Sequence, residues 1–179
     1  MKTRSIETVS NSRLVSLATA IIAVLAALGT LFAHHRSIAA LSSKNQAILM
    51  QARASDTYNA YEAKQIRFNI YRALLATGLV NSAETRGRLE SAAESESASM
   101  PAVLEKAKAL EREAEKDDVQ SETILKSYET LQFATTAFEI SIVLVSISAL
   151  AGARLFLPLG CALSAFGVAL LITGLIQNG

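Results

Sequence analysis

Residues 133–176 read FATTAFEISIVLVSISALAGARLFLPLGCALSAFGVALLITGLI, two apolar stretches separated by a single arginine, Arg154. Each stretch, at 133–153 and at 155–176, has about the 20 residues that a helix needs to cross a bilayer core. Inside them the one charged residue is Glu139. Because Gly152 and Pro158 flank the arginine, we expect a tight hairpin of two antiparallel membrane helices with Arg154 at the membrane surface.

A third apolar stretch lies near the N-terminus, at residues 14–33, and contains no charge. The alternative interpretation is a cleaved signal peptide, whose apolar region is about 7–15 residues long and precedes a small-x-small site. This stretch is longer, and Leu31-Phe32-Ala33 matches such a site poorly. The favoured interpretation is therefore a retained membrane helix.

The basic residues around the three spans predict their orientation. Lys2, Arg4 and Arg13 lie in the tail at 1–13, and Arg154 marks the turn between the last two spans. Cytoplasmic flanks carry an excess of Lys and Arg, and three crossings place the tail and this turn on one face. We expect both to be cytoplasmic and residues 34–132 to be periplasmic, although Arg36 and Lys44 weaken the bias.

Residues 34–132 have the pattern of a long helical hairpin. No Pro or Gly occurs from residue 37 until Gly78, which predicts one continuous helix over about 14–79. Asn81 and Glu84 resemble a capping box, residues 81–100 form the predicted tip, and Pro101 suits the first turn of a new helix. The expected fold is all-α, with three transmembrane helices and an antiparallel, coiled-coil-like hairpin outside the membrane between the first two.

The apolar seam between the two arms of this hairpin is thin, because alanine fills many positions and buries little area at about 25 cal/mol per Å². A hairpin of this kind is marginal alone, so we expect it to associate with other copies or to join a larger membrane complex. The predicted seam consists of Ile38, Leu41, Ile48, Tyr58, Tyr61, Phe68 and Leu75 on the first arm and Val103, Ala107, Leu110, Ala114, Ile124, Tyr128 and Leu131 on the second.

Small residues recur four positions apart in the spans, a spacing that lets helix backbones approach closely in lipid. They predict a packed bundle or an oligomer without distinguishing the two. The residues are Ala23, Ala27, Ser148, Gly152, Gly160 and Ser164.

Glu139 is the ionisable residue inside a predicted span, and such residues are candidates for functional sites. If Arg154 lies at the inner surface, Glu139 lies about 8 Å from the outer one. The first span leaves the membrane on that side at His34, His35 and Arg36. Two interpretations stay open: an interfacial salt bridge between two helices, or a proton- or cation-responsive site, since histidine titrates near neutral pH.

A second candidate, an interaction face, consists of Tyr58, Tyr61 and Lys64, which share one side of the first arm. Two tyrosines beside a lysine would suit a protein partner. The alternative is that they fill the core of a helix bundle with their hydroxyl groups hydrogen-bonded.

Composition argues against several classes of function. The net charge of +1 disfavours a nucleic-acid binder. A single cysteine, Cys161, cannot form an internal disulfide bond, and no Cys/His spacing resembles a zinc site. No catalytic grouping or phosphate-binding loop is visible, so we expect neither an enzyme nor a cofactor.

Three sequence features resemble a bacterial family of uncharacterised membrane proteins, the domain of unknown function number 4337. They are Leu31-Phe32-Ala33-His34-His35, then Ala54-Ser55-Asp56 followed by Tyr61 and Ala63-Lys64, and the C-terminal apolar hairpin. The resemblance covers residues 14–174 and implies a membrane location, but it supplies no activity.

These observations predict a non-enzymatic protein of a bacterial inner membrane, whose partners are the lipid bilayer and other copies of itself or a larger complex. Its hairpin would act as an assembly module. The alternative functions are a sensor-like component and a small transporter or channel component that uses Glu139 with His34 and His35.

Overall fold

A computed structural model of the protein describes residues 3–78, 80, 82–151 and 155–177, with only the helical backbone at 3–14, 149 and 151. This part of the chain forms three helices: α1 at Thr3–Ala76, α2 at Ala83–Ala151 and α3 at Phe156–Ile176. All three are long and apolar enough to cross a membrane, judged by length and composition. The prediction of an all-α fold with three such helices is confirmed.

Helix α1 ends in a glycine-dependent turn. The backbone N–H of Thr77 still donates to the carbonyl of Ala73, and Gly78 then adopts a φ of 70°. This left-handed conformation follows the ends of many helices and favours glycine, which has no Cβ to clash with the backbone. The helix therefore stops three residues earlier than residue 79, the end that the sequence predicts.

Ser82 caps the start of α2. Its hydroxyl oxygen accepts the backbone N–H of Thr85 at 3.4 Å, and its carbonyl oxygen accepts that of Arg86 at 3.0 Å. Serine is a preferred residue at this position because its side chain satisfies an otherwise unpaired N–H group. The predicted cap, Asn81, lies outside the described residues.

The restart predicted at Pro101 is wrong, because α2 begins at Ala83 and continues through Pro101. Residues 91–99, part of the predicted tip, belong to this same helix. Proline removes one helical hydrogen bond, but contacts with α1 hold the segment: Ala93 is buried, and Glu96 pairs with Lys64. Tertiary contacts of this kind supply most of a helix's stability in a protein.

The chain divides into two units, of which the first comprises Met1–Ser42 and Gln120–Gly179. Parts of α1 and α2 and the whole of α3 contribute to its core. The core is centred on the fully buried Phe138, Leu131 and Val145 of α2. Its remaining buried members are Ile22, Ala26, Ala33, Ala134 and Leu171.

Glycines allow α3 to lie close against α2 in this first unit. A Cβ atom on Gly160 would lie 2.7 Å from Val145 Cγ2, and one on Gly167 would lie 2.9 Å from Phe138 Cε1. The carbonyl of Gly174 accepts a 2.7 Å hydrogen bond from the buried hydroxyl of Ser127. The three glycines, seven residues apart, therefore form one contact stripe along α3.

Large apolar side chains also cover the outside of the first unit. In water such a continuous apolar surface is unfavourable, whereas lipid tails would cover it in a bilayer. The surface is thus compatible with a membrane protein. Examples are Leu17, Ile21, Val24 and Leu31 on α1, Ile140 and Val143 on α2, and Leu159, Phe166 and Ile172 on α3.

The second unit, Ser43–Val119, is an antiparallel pair formed by parts of α1 and α2. Its buried contact stripe is made mostly of alanine, with Ala47 and Ala54 on α1 and Ala107 and Ala114 on α2, each pair spaced by seven residues. The predicted seam residue Ile48 is instead 59% exposed. Alanine occupies the contact positions because its small side chain lets two helix backbones approach closely.

The same correction applies to the part of α1 in the first unit. Ile38 and Leu41, both predicted seam residues, are exposed, while Ala33 and Ala40 are buried. Ser121 of α2, which is not among the predicted seam residues, is buried and donates a 3.0 Å hydrogen bond to the carbonyl of Ala40.

Candidate functional site

A cavity of about 280 Å³ lies in the first unit, between α1 and α2. Glu139 and His34, which the sequence analysis singled out, both line it. Apart from Ala33, the remaining lining residues carry hydroxyl or amide groups. They are Thr30 and Ser37 on α1, and Tyr128, Gln132, Thr135 and Thr136 on α2.

Three threonine hydroxyl groups of the cavity donate their hydrogen to their own helix. Thr30 donates to Ala26 at 3.0 Å, Thr135 to Leu131 at 3.0 Å and Thr136 to Gln132 at 3.0 Å. A hydroxyl group has one hydrogen and two acceptor lone pairs. The oxygen atoms of these residues can therefore only accept further hydrogen bonds.

The amide of Gln132 is also engaged on its donor side. Its Nε2 donates to the hydroxyl oxygen of Tyr128 at 2.8 Å, which leaves its Oε1 as an acceptor. This choice of amide orientation follows the hydrogen-bond network. The lining also holds donors, namely the second N–H of Gln132, the hydroxyl hydrogens of Tyr128 and Ser37, and a ring N–H of His34. Together with the two carboxylate oxygens of Glu139, the acceptor oxygens outnumber these donors.

The predicted four-residue cluster comes together only in part. His34, His35 and Glu139 are exposed and Arg36 is half-buried. Neither His35 nor Arg36 lines the cavity with His34 and Glu139. Within the described part of the chain, no hydrogen bond or ion pair joins the carboxylate of Glu139 to His34, His35 or Arg36. The structure thus places Glu139 and His34 on one cavity without a direct bond between them.

The predicted interaction face lies in the second unit, and two of its three residues make polar contacts across the hairpin. The hydroxyl group of Tyr58 donates to Glu111 at 2.8 Å, and Lys64 donates to Glu96 at 3.0 Å. Tyr61 is half-buried. The polar groups of Tyr58 and Lys64 therefore link α1 to α2.

Glu96 is the centre of this polar network. Arg67 Nε donates to it at 2.7 Å and Lys64 Nζ at 3.0 Å, and its side chain is 17% exposed. The hydrogen bonds from Arg67 and then Lys64 favour the ionised carboxylate and lower the pKa of Glu96 to about 2. The hydrogen bond to Glu96 in turn raises the pKa of Arg67.

The hydrogen bond between Tyr58 and Glu111 makes it harder for the tyrosine to lose its proton. The Glu111 carboxylate accepts the phenolic hydrogen and so favours the neutral phenol. It therefore raises the pKa of Tyr58 above its ordinary value.

The small residues predicted to pack between helices have different positions. Gly160 and Ser164 are buried and Ser148 is half-buried, whereas Ala23 and Ala27 are exposed and their neighbours Ile22 and Ala26 are buried instead. Gly152, like Arg154 in the predicted turn, lies outside the described residues.

The second unit also carries an open groove between its helices. Asp118 forms an ion pair with Lys44 at this groove. The α1 side of the groove includes Ile48, while the α2 side is acidic. The lining residues are Lys44, Ala47, Ile48, Gln51, Ala52, Glu111, Ala114, Glu115 and Asp118.

In a comparison with protein families, residues 11–177 match the family described as Domain of unknown function (DUF4337). The chain belongs to this family. None of the curated proteins or solved structures that were compared with the chain matched it. Across the described residues, no group of three or more His, Cys, Asp or Glu side chains could hold a metal ion.

For this DUF4337 chain, sequence reasoning did not find the neutral polar residues of the cavity. A signal for them exists, because Thr30, His34 and Ser37 follow helical spacing on α1. Gln132 and Thr136 precede Glu139 on α2 at similar spacing. Threonine and glutamine are common at helix surfaces, so their alignment gains meaning only once the facing helix is known.

Proposed function

We propose that the chain is a non-enzymatic membrane protein whose helical hairpin, residues 34–132, serves as an assembly module. It associates with further copies of itself or joins a larger membrane complex as an accessory subunit. The proposal includes a bacterial inner membrane as its location, with a cytoplasmic N-terminus and a periplasmic hairpin.

The observation that carries this proposal is a pair of exposed apolar patches on α1 of the second unit, Ile48 with Leu49 and Ile66 with Ile70. Ile48, Leu49, Ile66 and Ile70 are each about half exposed or more, with Ile48 at 59% and Ile66 at 58%. Alanines, rather than these residues, form the contact with α2. Large apolar side chains in a segment outside the membrane commonly mark an interaction site.

The spacing of the two patches supports a helical partner. Ile66 lies 18 residues after Ile48, which is about five helical turns, so both fall on one side of α1. Between them on this side lie Ala52, one turn after Ile48, and the polar residues Ser55 and Asn59, all exposed. A helix of another subunit could therefore lie along this side, as in a helix bundle.

The test is the intact mass of the purified full chain in lipid nanodiscs, for the wild type and for a variant with Ile48→Asp and Ile66→Asp. We expect the protein mass of the wild type to be two or more times the 19.1 kDa of one chain, and that of the variant to be smaller. The matched control, Gln51→Asp with Gln65→Asp, changes exposed polar residues and should keep the wild-type mass. A wild-type monomer with no stoichiometric partner would contradict the proposal.

A second candidate function is a sensor-like, transporter or channel component that uses Glu139 with His34 and His35. The shared cavity of Glu139 and His34 favours it, because ionisable groups within spans mark ion or proton pathways. Ion flux into vesicles that contain the chain should fall on Glu139→Gln and stay unchanged on Glu122→Gln. Equal flux in both variants would remove the support for this candidate.

A further inference from the structure

We propose that the cavity between α1 and α2 of the first unit binds a hydrated monovalent cation, with Glu139 as its counter-charge. The inference deepens the second candidate function, on which it rests for its biological meaning. The cation site itself is argued from the polar groups of the cavity alone.

Hydroxyl and amide oxygens of the lining are available as acceptors. The hydroxyl hydrogens of Thr30, Thr135 and Thr136 are donated to backbone carbonyl groups. One N–H of the Gln132 amide is donated to Tyr128. The threonine and glutamine oxygens therefore keep free lone pairs, which a cation or a hydrogen-bond donor such as water would satisfy.

The charged groups of the lining favour a single positive ion. Among the described residues of the lining, Glu139 is the one carboxylate, and none is lysine or arginine. The titratable groups that face it are His34 from α1 and Tyr128 from α2. One carboxylate matches one monovalent cation.

Divalent ions fit these residues less well. Calcium sites in proteins use six to eight oxygen ligands, several of them from carboxylates. Zinc and similar metals need several His, Cys or carboxylate ligands, and the described residues contain no group of three such side chains. Neutral oxygens beside one carboxylate favour an ion that binds through oxygen and carries one charge.

The cavity is large enough for a hydrated ion. A water molecule occupies about 30 Å³ in the liquid, so a cavity of about 280 Å³ has room for a cation that keeps several waters. The threonine and glutamine oxygens would then accept hydrogen bonds from these waters. The cation would remain hydrated and exchange rapidly.

The test uses sodium ions as the probe and the purified full chain in nanodiscs of zwitterionic lipid. Binding is followed by the broadening of the sodium-23 NMR signal, with choline chloride keeping the ionic strength constant. We expect saturable broadening that potassium chloride reverses. Glu139→Gln should weaken sodium binding tenfold or more, whereas the control Glu122→Gln, an exposed glutamate of α2 outside the cavity, should leave it unchanged.

A variant that keeps the charge protects the test from a folding defect. Thr136→Val removes one acceptor and should weaken binding severalfold while the helical circular dichroism stays unchanged. Absence of saturable broadening in the wild type, or equal broadening in wild type and Glu139→Gln, would overturn the site. Sodium binding without ion flux would support the site and refute the transport function. Ion flux without this binding would support transport and refute the site.

Discussion

At the scale of single residues, Glu96 is the carboxylate for which the structure makes the clearest pH prediction. Its pKa of about 2 lies below the ordinary value of 4.5, because Arg67 and Lys64 hold the ionised form. A lowered pKa in the folded state stabilises the protein above the unfolded-state pKa. The contribution is lost as the pH falls from 4.5 towards 2.

We therefore expect Glu96→Gln to lower the melting temperature of the purified full chain at pH 7 and pH 6. The difference between wild type and variant should shrink as the pH falls below 4.5. Circular dichroism at a series of pH values measures it. Glu94→Gln is the control, because Glu94 is an exposed acid of the same helix without these partners. A difference that stays constant down to pH 3 would contradict the assigned ion pairs.

Glycine 167 provides a second prediction at this scale. A Cβ atom there would lie 2.9 Å from Phe138 Cε1 and 3.3 Å from the carbonyl oxygen of Ala134, and that backbone atom cannot rotate away. Gly167→Ala should destabilise the protein by about 1–3 kcal/mol, the usual cost of overpacking. Denaturation in mixed micelles, followed by circular dichroism, measures the loss.

The control for this prediction is Gly87→Ala. Gly87 lies within α2, and a Cβ built on it would have no described atom within 4 Å beyond its chain neighbours and the nearby backbone of its own helix. Alanine should stabilise the helix there by about 0.5–1 kcal/mol, because glycine loses more backbone entropy on folding. Equal effects of the two substitutions would show that Gly167 does not lie at a close helix contact.

At the scale of the helices, the alanine stripe of the second unit is the feature that the sequence analysis missed. The sequence shows alanine at every seventh residue from Ala26 to Ala54. Searching for large apolar residues at helical spacing selected Ile48 instead, because area burial usually decides which face is inside. In this pair of helices, the close approach of the two backbones decides which face of α1 is buried. That face depends on the partner helix and not on the sequence of one helix alone.

We expect Ala107→Leu to destabilise the full chain by about 1–3 kcal/mol, because Ala107 is 0% exposed and the added atoms have no space. The matched control is Ala109→Leu at an exposed position of the same helix. Thermal melting by circular dichroism compares the two. An equally small effect of both would argue against a close-packed alanine contact.

Gly78 and Pro101 show why the ends of the helices were only partly predictable from the sequence. The end of α1 near residue 79 followed from Gly78, whose left-handed conformation depends on local geometry. The continuity of α2 through Pro101 depends instead on contacts with α1, such as the ion pair of Lys64 with Glu96. Local sequence rules therefore locate a helix end such as that at Gly78. They do not predict that a helix continues through Pro101, because tertiary contacts decide this.

At the scale of the whole molecule, the three apolar stretches were sufficient to predict three long helices, because the length and composition of a span are set by the bilayer rather than by a particular partner. The same reasoning placed Glu139, which belongs to the second span, near the membrane surface at which the first span ends, and so near His34. It could not show that Gln132 and Thr136 share that cavity. Their roles depend on which sides of α1 and α2 face each other.

The membrane topology is the remaining prediction at this scale. Three crossings require the N-terminal tail and the hairpin to lie on opposite faces, and the basic residues Lys2, Arg4 and Arg13 predict a cytoplasmic tail. In a Cys161→Ser background, a cysteine introduced by Ser97→Cys at an exposed site of the hairpin should react with a membrane-impermeant maleimide in intact bacterial cells. A cysteine introduced by Ser5→Cys should react only after the cells are permeabilised. The reverse pattern would invert the topology and place Glu139 near the cytoplasmic face, whereas labelling of both sites in intact cells would contradict three crossings.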